Sequence, residues 1–317
     1  MPGMAIHELQ PVYQDRIWGG QTMQSVLGRT LPADRIGEAW ELCDRPEAQS
    51  RVRETGQTLH ELWTGKHRDD FFGSCSPRVE RFPILIKILD ACDKLSLQVH
   101  PPASVAAAMG GEPKTELWYF LETQPGAEIF AGLKRGVDRA AFERAIAEKR
   151  LVECFHRLPT AAGEVMFLPS GRVHAIGGGN LILEVQQNSD TTYRVYDFDR
   201  VDAKTGKPRD LHVEQSLKCI DFDDIEPAFT QPHGESILEC RHFRIDRSYF
   251  FEKESRTLGT DGRSFVYLFT AKGHFRIGGR EAPRGTSLLV GADHGEFEVE
   301  CLEDEGHLVR VAWPEKG

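Results

Sequence analysis

Short runs of β-branched and aromatic residues recur along the chain, alternating with polar positions and punctuated by Gly, Pro, Asn and Asp. That pattern predicts an all-β sandwich or barrel, with strands over residues 82–89, 95–99, 117–121, 127–131, 164–168, 181–186 and 192–197. The most apolar stretch, 82–89, is interrupted only by Lys87 among its charged types and reads as a buried strand. Helical spacing is confined to fewer places. Residues 138–150 open on Asp138, an N-cap type, and place Phe142, Ala145, Ile146 and Lys149 on one face. Shorter helical stretches are predicted over 104–109 and 212–220. An acidic, proline-containing passage, 221–232, reads as a linker, after which strand alternation returns over 264–270, 273–277, 287–290 and 295–300. The predicted organisation is therefore mainly β, with one domain over 1–232 and a smaller β domain over 233–317.

Composition narrows the partners. The chain has 317 residues, 39 Lys+Arg and 49 Asp+Glu, a formal charge of −10. A phosphate backbone demands a basic surface, so nucleic acid is not an expected partner. No apolar run approaches the roughly 18–20 residues that span a bilayer, and no membrane partner is expected. The first ten residues lack the basic and apolar regions of a secretory signal, which predicts a cytoplasmic protein. Seven cysteines, odd in number, widely spread and without a Cys-x-x-Cys pair, predict reduced thiols rather than disulfides or a thiolate metal site. The number of subunits is left open.

Candidate chemistry gathers in three segments. In an extended strand Gln98 and His100 point the same way. The same period of two puts Lys114, Glu116 and Trp118 on one side of a strand expected to lie antiparallel beside the first. The third segment runs from the turn residue Gly163 through Pro169 and Gly171 to His174, at a strand entrance. Two nitrogens and two oxygens result, a set that suits Zn²⁺ or another borderline divalent ion with open positions for water or a substrate oxygen.

The spacing of Gly163, Pro169, Gly171 and His174 resembles the second motif of the cupin superfamily, and Gln98-Val-His100 resembles its first motif with Gln in place of the leading histidine. More narrowly, Trp18-Gly-Gly20, Gly37-Glu-Ala-Trp-Glu41, and the blocks 95–101, 114–119 and 169–200 resemble the type I phosphomannose isomerases in their short bacterial form. The resemblance runs in order from about residue 10 to 220, and its most telling block is 184–200.

That resemblance implies two cupin-like β-sandwich or jelly-roll domains with a few short helices. It also implies a zinc enzyme, one Zn²⁺ per chain, that interconverts mannose 6-phosphate and fructose 6-phosphate through a metal-stabilised enediol. Gln98, His100, Glu116 and His174 match the family's metal ligands. Arg194 matches its catalytic arginine, with an electrostatic role because a guanidinium stays charged. Lys114 and Glu184 are both candidates for the proton carrier; a nearby cation would depress Lys114 toward a working base. Ser96 and Arg200 match positions that bind the sugar phosphate. Ala39 departs from the family's usual Ser. Two other classes fit a cupin: a metal- and sugar-binding sensor without turnover, and a metal-dependent oxygenase, which Gln98 in place of a histidine disfavours. In the second domain, laying Gly285 on Gly163 puts Glu296 at the position of His174, so no metal is expected there. His242, His274, His294 and His307 are expected to be non-ligands.

Overall fold

The computed structural model describes residues 6–202 and 205–315. Antiparallel sheets stack face to face. A six-stranded sheet runs in the spatial order Val165–Leu168, Glu116–Thr123, Asn180–Gln187, Ile84–Ala91, Ile36–Leu42, Val12–Gly20. Facing it is a five-stranded sheet ordered Phe155–Pro159, Glu128–Leu133, His174–Ile176, Leu97–Val99, Tyr193–Tyr196. On the C-terminal side a seven-stranded and a four-stranded sheet form a second sandwich.

Alternation along the central strands decides what each face touches. Ile84, Ile86, Ile88, Leu117, Tyr119, Leu183 and Val185 pack against Phe265, Tyr267, Phe269, Leu289 and Val309 of the seven-stranded sheet. The intervening Leu89, Trp118, Phe120 and Ile182 pack against Ile129, Ala131 and Ile176 of the five-stranded sheet. Both faces are covered, so all of Ile84–Ala91 is buried and the strand reads as one apolar run rather than an alternating one. Each fully buried Leu or Ile contributes about 1.5–3 kcal/mol, and that apolar mass holds in place the few polar side chains the same strands carry inward.

Two expectations change. The strand Glu116–Thr123 does not pair with Leu97–Val99; its neighbours are Val165–Leu168 and Asn180–Gln187, and it faces Leu97–Val99 from the other sheet. The two strands were expected to be neighbours in one sheet because alternation reports a face, not a partner strand. Near the other end of the chain, Ile6–Gln10 pairs with Ser287–Val290, with Ile6 opposite Val290. The seven-stranded sheet thus takes strands from both ends of the sequence, because the apolar Ile6 and Leu9 are buried there. Sheet membership therefore departs from a division at 232 in this segment.

The helix Arg139–Ala147 starts where predicted. The Asp138 carboxylate accepts the Ala141 N–H at 2.7 Å, and Phe142 and Ala145 are buried against the back of the five-stranded sheet. Ala103–Ala106 overlaps the predicted stretch 104–109, and Val213–Cys219 falls within 212–220. Thr22–Leu27, Leu59–Thr64 and Arg68–Phe72 were not predicted; one and a half turns give too few positions to show a 3.6-residue period. Among the described residues no helix is long and apolar enough to cross a membrane. The interior of the C-terminal sandwich is filled by Phe250, Leu268, Phe275, Leu288 and Leu308.

Candidate metal centre and substrate cleft

The two facing sheets bring the candidate ligands together from opposite sides. Leu97–Val99 lies between His174–Ile176 and Tyr193–Tyr196, with Gln98 opposite both His174 and Arg194. The turn before His174 is fixed by Gly171, whose φ of 97° favours glycine and whose N–H donates to the His100 carbonyl at 3.0 Å. Glu116 enters from the six-stranded sheet. Its Oε2 lies 3.4 Å from His100 Nε2 and its Oε1 3.3 Å from His174 Nε2. His100, Glu116 and His174 are buried, with one ligand atom from each within 4.8 Å of the others.

Second contacts set the tautomers. His100 Nδ1 sits 2.9 Å from the Thr191 carbonyl and His174 Nδ1 2.9 Å from that of Arg172. A carbonyl only accepts, so each Nδ1 carries the proton and each Nε2 turns a lone pair inward. His100 Nε2 and Glu116 Oε1 are buried without a hydrogen-bond partner, while Glu116 Oε2 meets Lys114 Nζ at 2.7 Å. Orphaned buried acceptors of this kind cost about 1–3 kcal/mol each, and their convergence fits a divalent cation. Burial lowers both imidazoles, His174 to about 3, so they stand neutral and ready to ligate. Burial alone would raise the Glu116 carboxyl; the Lys114 ammonium outweighs it and holds it well below the usual range.

Gln98 stands at the edge of this trio. Its Oε1 accepts from the Ser96 hydroxyl at 3.2 Å, and its Nε2 lies 3.3 Å from His174 Nε2. In that orientation the amide donates to the lone pair a cation would use; Oε1 is the atom with which Gln98 could ligate.

A cleft of about 360 Å³ opens beside the centre. Ser96, Gln98, Lys114, Glu184 and Arg194 line it, joined by Arg16, Glu38, Lys87, Asp190 and Arg209, which the sequence reading passed over. Lys87 and Glu38 had a signal available, one as the charge inside an apolar strand, the other within the Gly37-to-Glu41 block. Arg209 had none, since it follows a loop and pairs only through tertiary contacts. Arg200 does not line the cleft. Its guanidinium bonds Asp197 Oδ1 at 2.5 Å and the Lys94 carbonyl. Strand alternation from Arg194 predicts Tyr196 on the same face, but the register shifts between the two, so Tyr196 lies opposite Leu97 and its ring packs on Phe198 behind the sheet.

Charge is arranged in a buried chain. Lys114 Nζ lies 2.7 Å from Glu116 and 3.9 Å from Glu184, and Lys87 Nζ lies 3.9 Å from Glu184 and from Glu38. Burial would lower Lys114, but the carboxylates of Glu116 and Glu184 prevail and hold it charged. Burial raises Glu184 to about 7, helped by Glu116 and opposed by Lys114 and Lys87. The indole of Trp118 donates to its Oε1 at 3.1 Å. Arg194 keeps its Nε buried and unpartnered. Ala39 is fully buried in the core between the sheets, away from this chemistry.

Fold and site together define a cupin with one buried His-Glu-His centre and a polar cleft of sugar size. The family model for the type I phosphomannose isomerase catalytic domain matches residues 6–120. The chain is 35% identical over 307 residues to the mannose-6-phosphate isomerase ManA of Bacillus subtilis (strain 168), spanning 92% of this chain and 94% of that one. It is 42% identical over 247 residues to the mannose-6-phosphate isomerase of Streptococcus mutans, spanning 77% and 76%. The crystal structure of the mannose 6-phosphate isomerase from Bacillus subtilis matches with a TM-score of 0.85 at 27% identity, over 97% of this chain and 99% of that one. A mannose 6-phosphate isomerase bound with zinc and yttrium shares the fold, with a TM-score of 0.75 at 18% identity over 98% and 99%. The chain belongs to the type I phosphomannose isomerase family.

Proposed function

We propose that this chain is a cytoplasmic, zinc-dependent isomerase that interconverts mannose 6-phosphate and fructose 6-phosphate, with the catalytic centre in the unit 1–232 and the unit 233–317 serving as scaffold. One observation carries the reading: buried ligand atoms of His100, Glu116 and His174 converge within 4.8 Å of one another beside a cleft that also presents Arg194, Lys114 and Glu184. A coordinating set with no catalytic groups would suffice for a sensor; this cleft adds a proton carrier and fixed cations.

His100, Glu116 and His174 would hold zinc, with Gln98 Oε1 available as a further ligand, and the ion would supply Lewis acidity toward a sugar oxygen. The reaction moves a proton between C1 and C2. Glu184 is the group assigned to carry it, since its carboxyl, raised to about 7, can both take and return a proton near neutral pH. Lys114, held as an ammonium between two carboxylates, is assigned to donate a hydrogen bond to a sugar oxygen rather than to act as the base. Arg194 stays charged and stabilises the negative charge that develops as the proton leaves.

The test is a coupled assay for fructose 6-phosphate formation from mannose 6-phosphate by the purified protein, before and after chelation and after zinc is restored. Turnover that falls on chelation and returns with zinc is expected. Zinc-loaded protein that binds mannose 6-phosphate without forming product would overturn the reading in favour of a sensor.

A further inference from the structure

We propose that Arg209, and not Arg200, is the specificity-determining residue that grips the substrate's phosphate. This inference rests on the isomerase reading for the identity of the phosphorylated ligand, and on the geometry of the cleft for the residue.

Arg200, carried over from the family pattern, is spent on the protein itself. Its guanidinium meets Asp197, the Lys94 carbonyl and, at 3.6 Å, Asp93, and it lies outside the cleft lining. Arg209 lines the cleft. One edge of its guanidinium is anchored, with Nε 2.8 Å from Asp197 Oδ2 and Nη2 2.6 Å from Asp197 Oδ1. Anchoring by that edge leaves Nη1 to meet a ligand and fixes the plane in advance, so little side-chain entropy remains to be lost on binding. The backbone is pinned as well: His212 N–H donates to the Arg194 carbonyl at 2.7 Å, and Arg194 N–H meets His212 Nδ1 at 3.3 Å.

Position along the sheet agrees with this assignment. Gln98 and Arg194 stand opposite one another, and from there the strand of Arg194 runs away from His100 toward Asp197, beside Lys94 and Ser96. The lining therefore runs from Gln98, which touches the metal trio, past Arg194 to Arg209, which Asp197 holds farther along. A hexose 6-phosphate with C1 and C2 at the ligands places its phosphate at that far end. Like charge points the same way. Burial lowers the Arg194 guanidinium, the neighbouring Arg209 adds to this, and Asp197 and Asp190 oppose it; Asp202 also lines this region. Two neighbouring guanidiniums are relieved when a dianion enters between them.

Arg209→Gln and Arg200→Gln separate the candidates. Each variant, zinc-loaded, is assayed for KM and kcat with mannose 6-phosphate, and titrated with inorganic phosphate by calorimetry, which requires no turnover. Losing a charge-assisted pair to phosphate is expected to raise the Arg209→Gln KM and weaken phosphate binding by about tenfold or more, with kcat within about threefold of wild type. Arg200→Gln is expected to keep both constants within about threefold. Unchanged KM and phosphate affinity in Arg209→Gln, or their loss in Arg200→Gln instead, would refute the assignment. Should Arg209→Gln melt at ambient temperature, Arg209→Lys, which keeps charge beside Asp197 but not the fork, carries the same test. Absence of product from the wild type, with phosphate binding still lost in Arg209→Gln, would remove the isomerase reading and leave the anion site.

Discussion

Replacing His174 with alanine separates the cost of an empty site from the gain of a filled one. His174 is 1% exposed; its Nδ1 donates to the Arg172 carbonyl at 2.9 Å, and Trp118 meets its ring edge-on with centroids 5.3 Å apart. The lost hydrogen bond removes about 1 kcal/mol. The ring contact removes about 0.5–1.5 kcal/mol. With the cavity left behind, the metal-free variant should lose about 3 kcal/mol. For a chain of this length that lowers Tm by about 4–5 °C. Zinc at a thousand times its Kd adds about 4 kcal/mol to a protein that binds it only when folded, or about 6 °C, and none of this increment should survive in His174→Ala. Calorimetry with added zinc and with chelator reads both shifts, and plasma mass spectrometry of untreated protein reads occupancy. A His174→Ala sample with one zinc per chain and the full zinc-dependent rise in Tm would refute the ligand assignment.

Glu184→Gln should lower kcat by about 10²–10⁴-fold with zinc content unchanged, and a fall of less than tenfold in steady-state assays would place the proton step elsewhere. Burial would raise Glu38, but Lys87 and Arg16 outweigh it and bring it to about 2. A carboxyl depressed in the folded state contributes stability above its unfolded pKa and loses it as pH falls through the folded one. Glu38 should therefore supply about 3 kcal/mol near neutrality that fades between about pH 4.5 and 2, and urea melts of Glu38→Gln should show a flatter acid limb. Glu41 lies fully buried between the sandwiches, accepting from Arg29 at 2.5 and 3.0 Å and from Ser287 at 2.6 Å. Glu41→Ala strands the Arg29 guanidinium and should cost about 3–5 kcal/mol, whereas Arg29→Met combined with Glu41→Leu should recover most of it in denaturant melts.

The reach of the sequence differed from one side chain to the next. His174 was legible because a turn requiring glycine at Gly171 fixes where the following residue points, and such constraints are local. Gln98 and His100 were legible as sharing a face, since alternation is a property of the strand alone. Glu116 was found, but its strand was placed in the wrong sheet, because the two sheets of a sandwich present the same alternation to their common interior. The surroundings of Lys114 were legible in part: Glu116 stands two residues away in the sequence, whereas Glu184 is brought beside it from another strand. Tyr196 was misplaced by a single register shift, which moves a side chain to the opposite face.

By itself the sequence determined the strand pattern, the Asp138 helix start and the donor types available for a cation, all of which follow from torsional preference and side-chain chemistry within a few residues. Tertiary structure alone decided which arginine enters the cleft, how Glu184 is raised while Glu116 is depressed, and that the strand at Ile6 joins the far sandwich. Those outcomes depend on Coulomb interaction and desolvation across space, and such distances are set only when the sheets have packed.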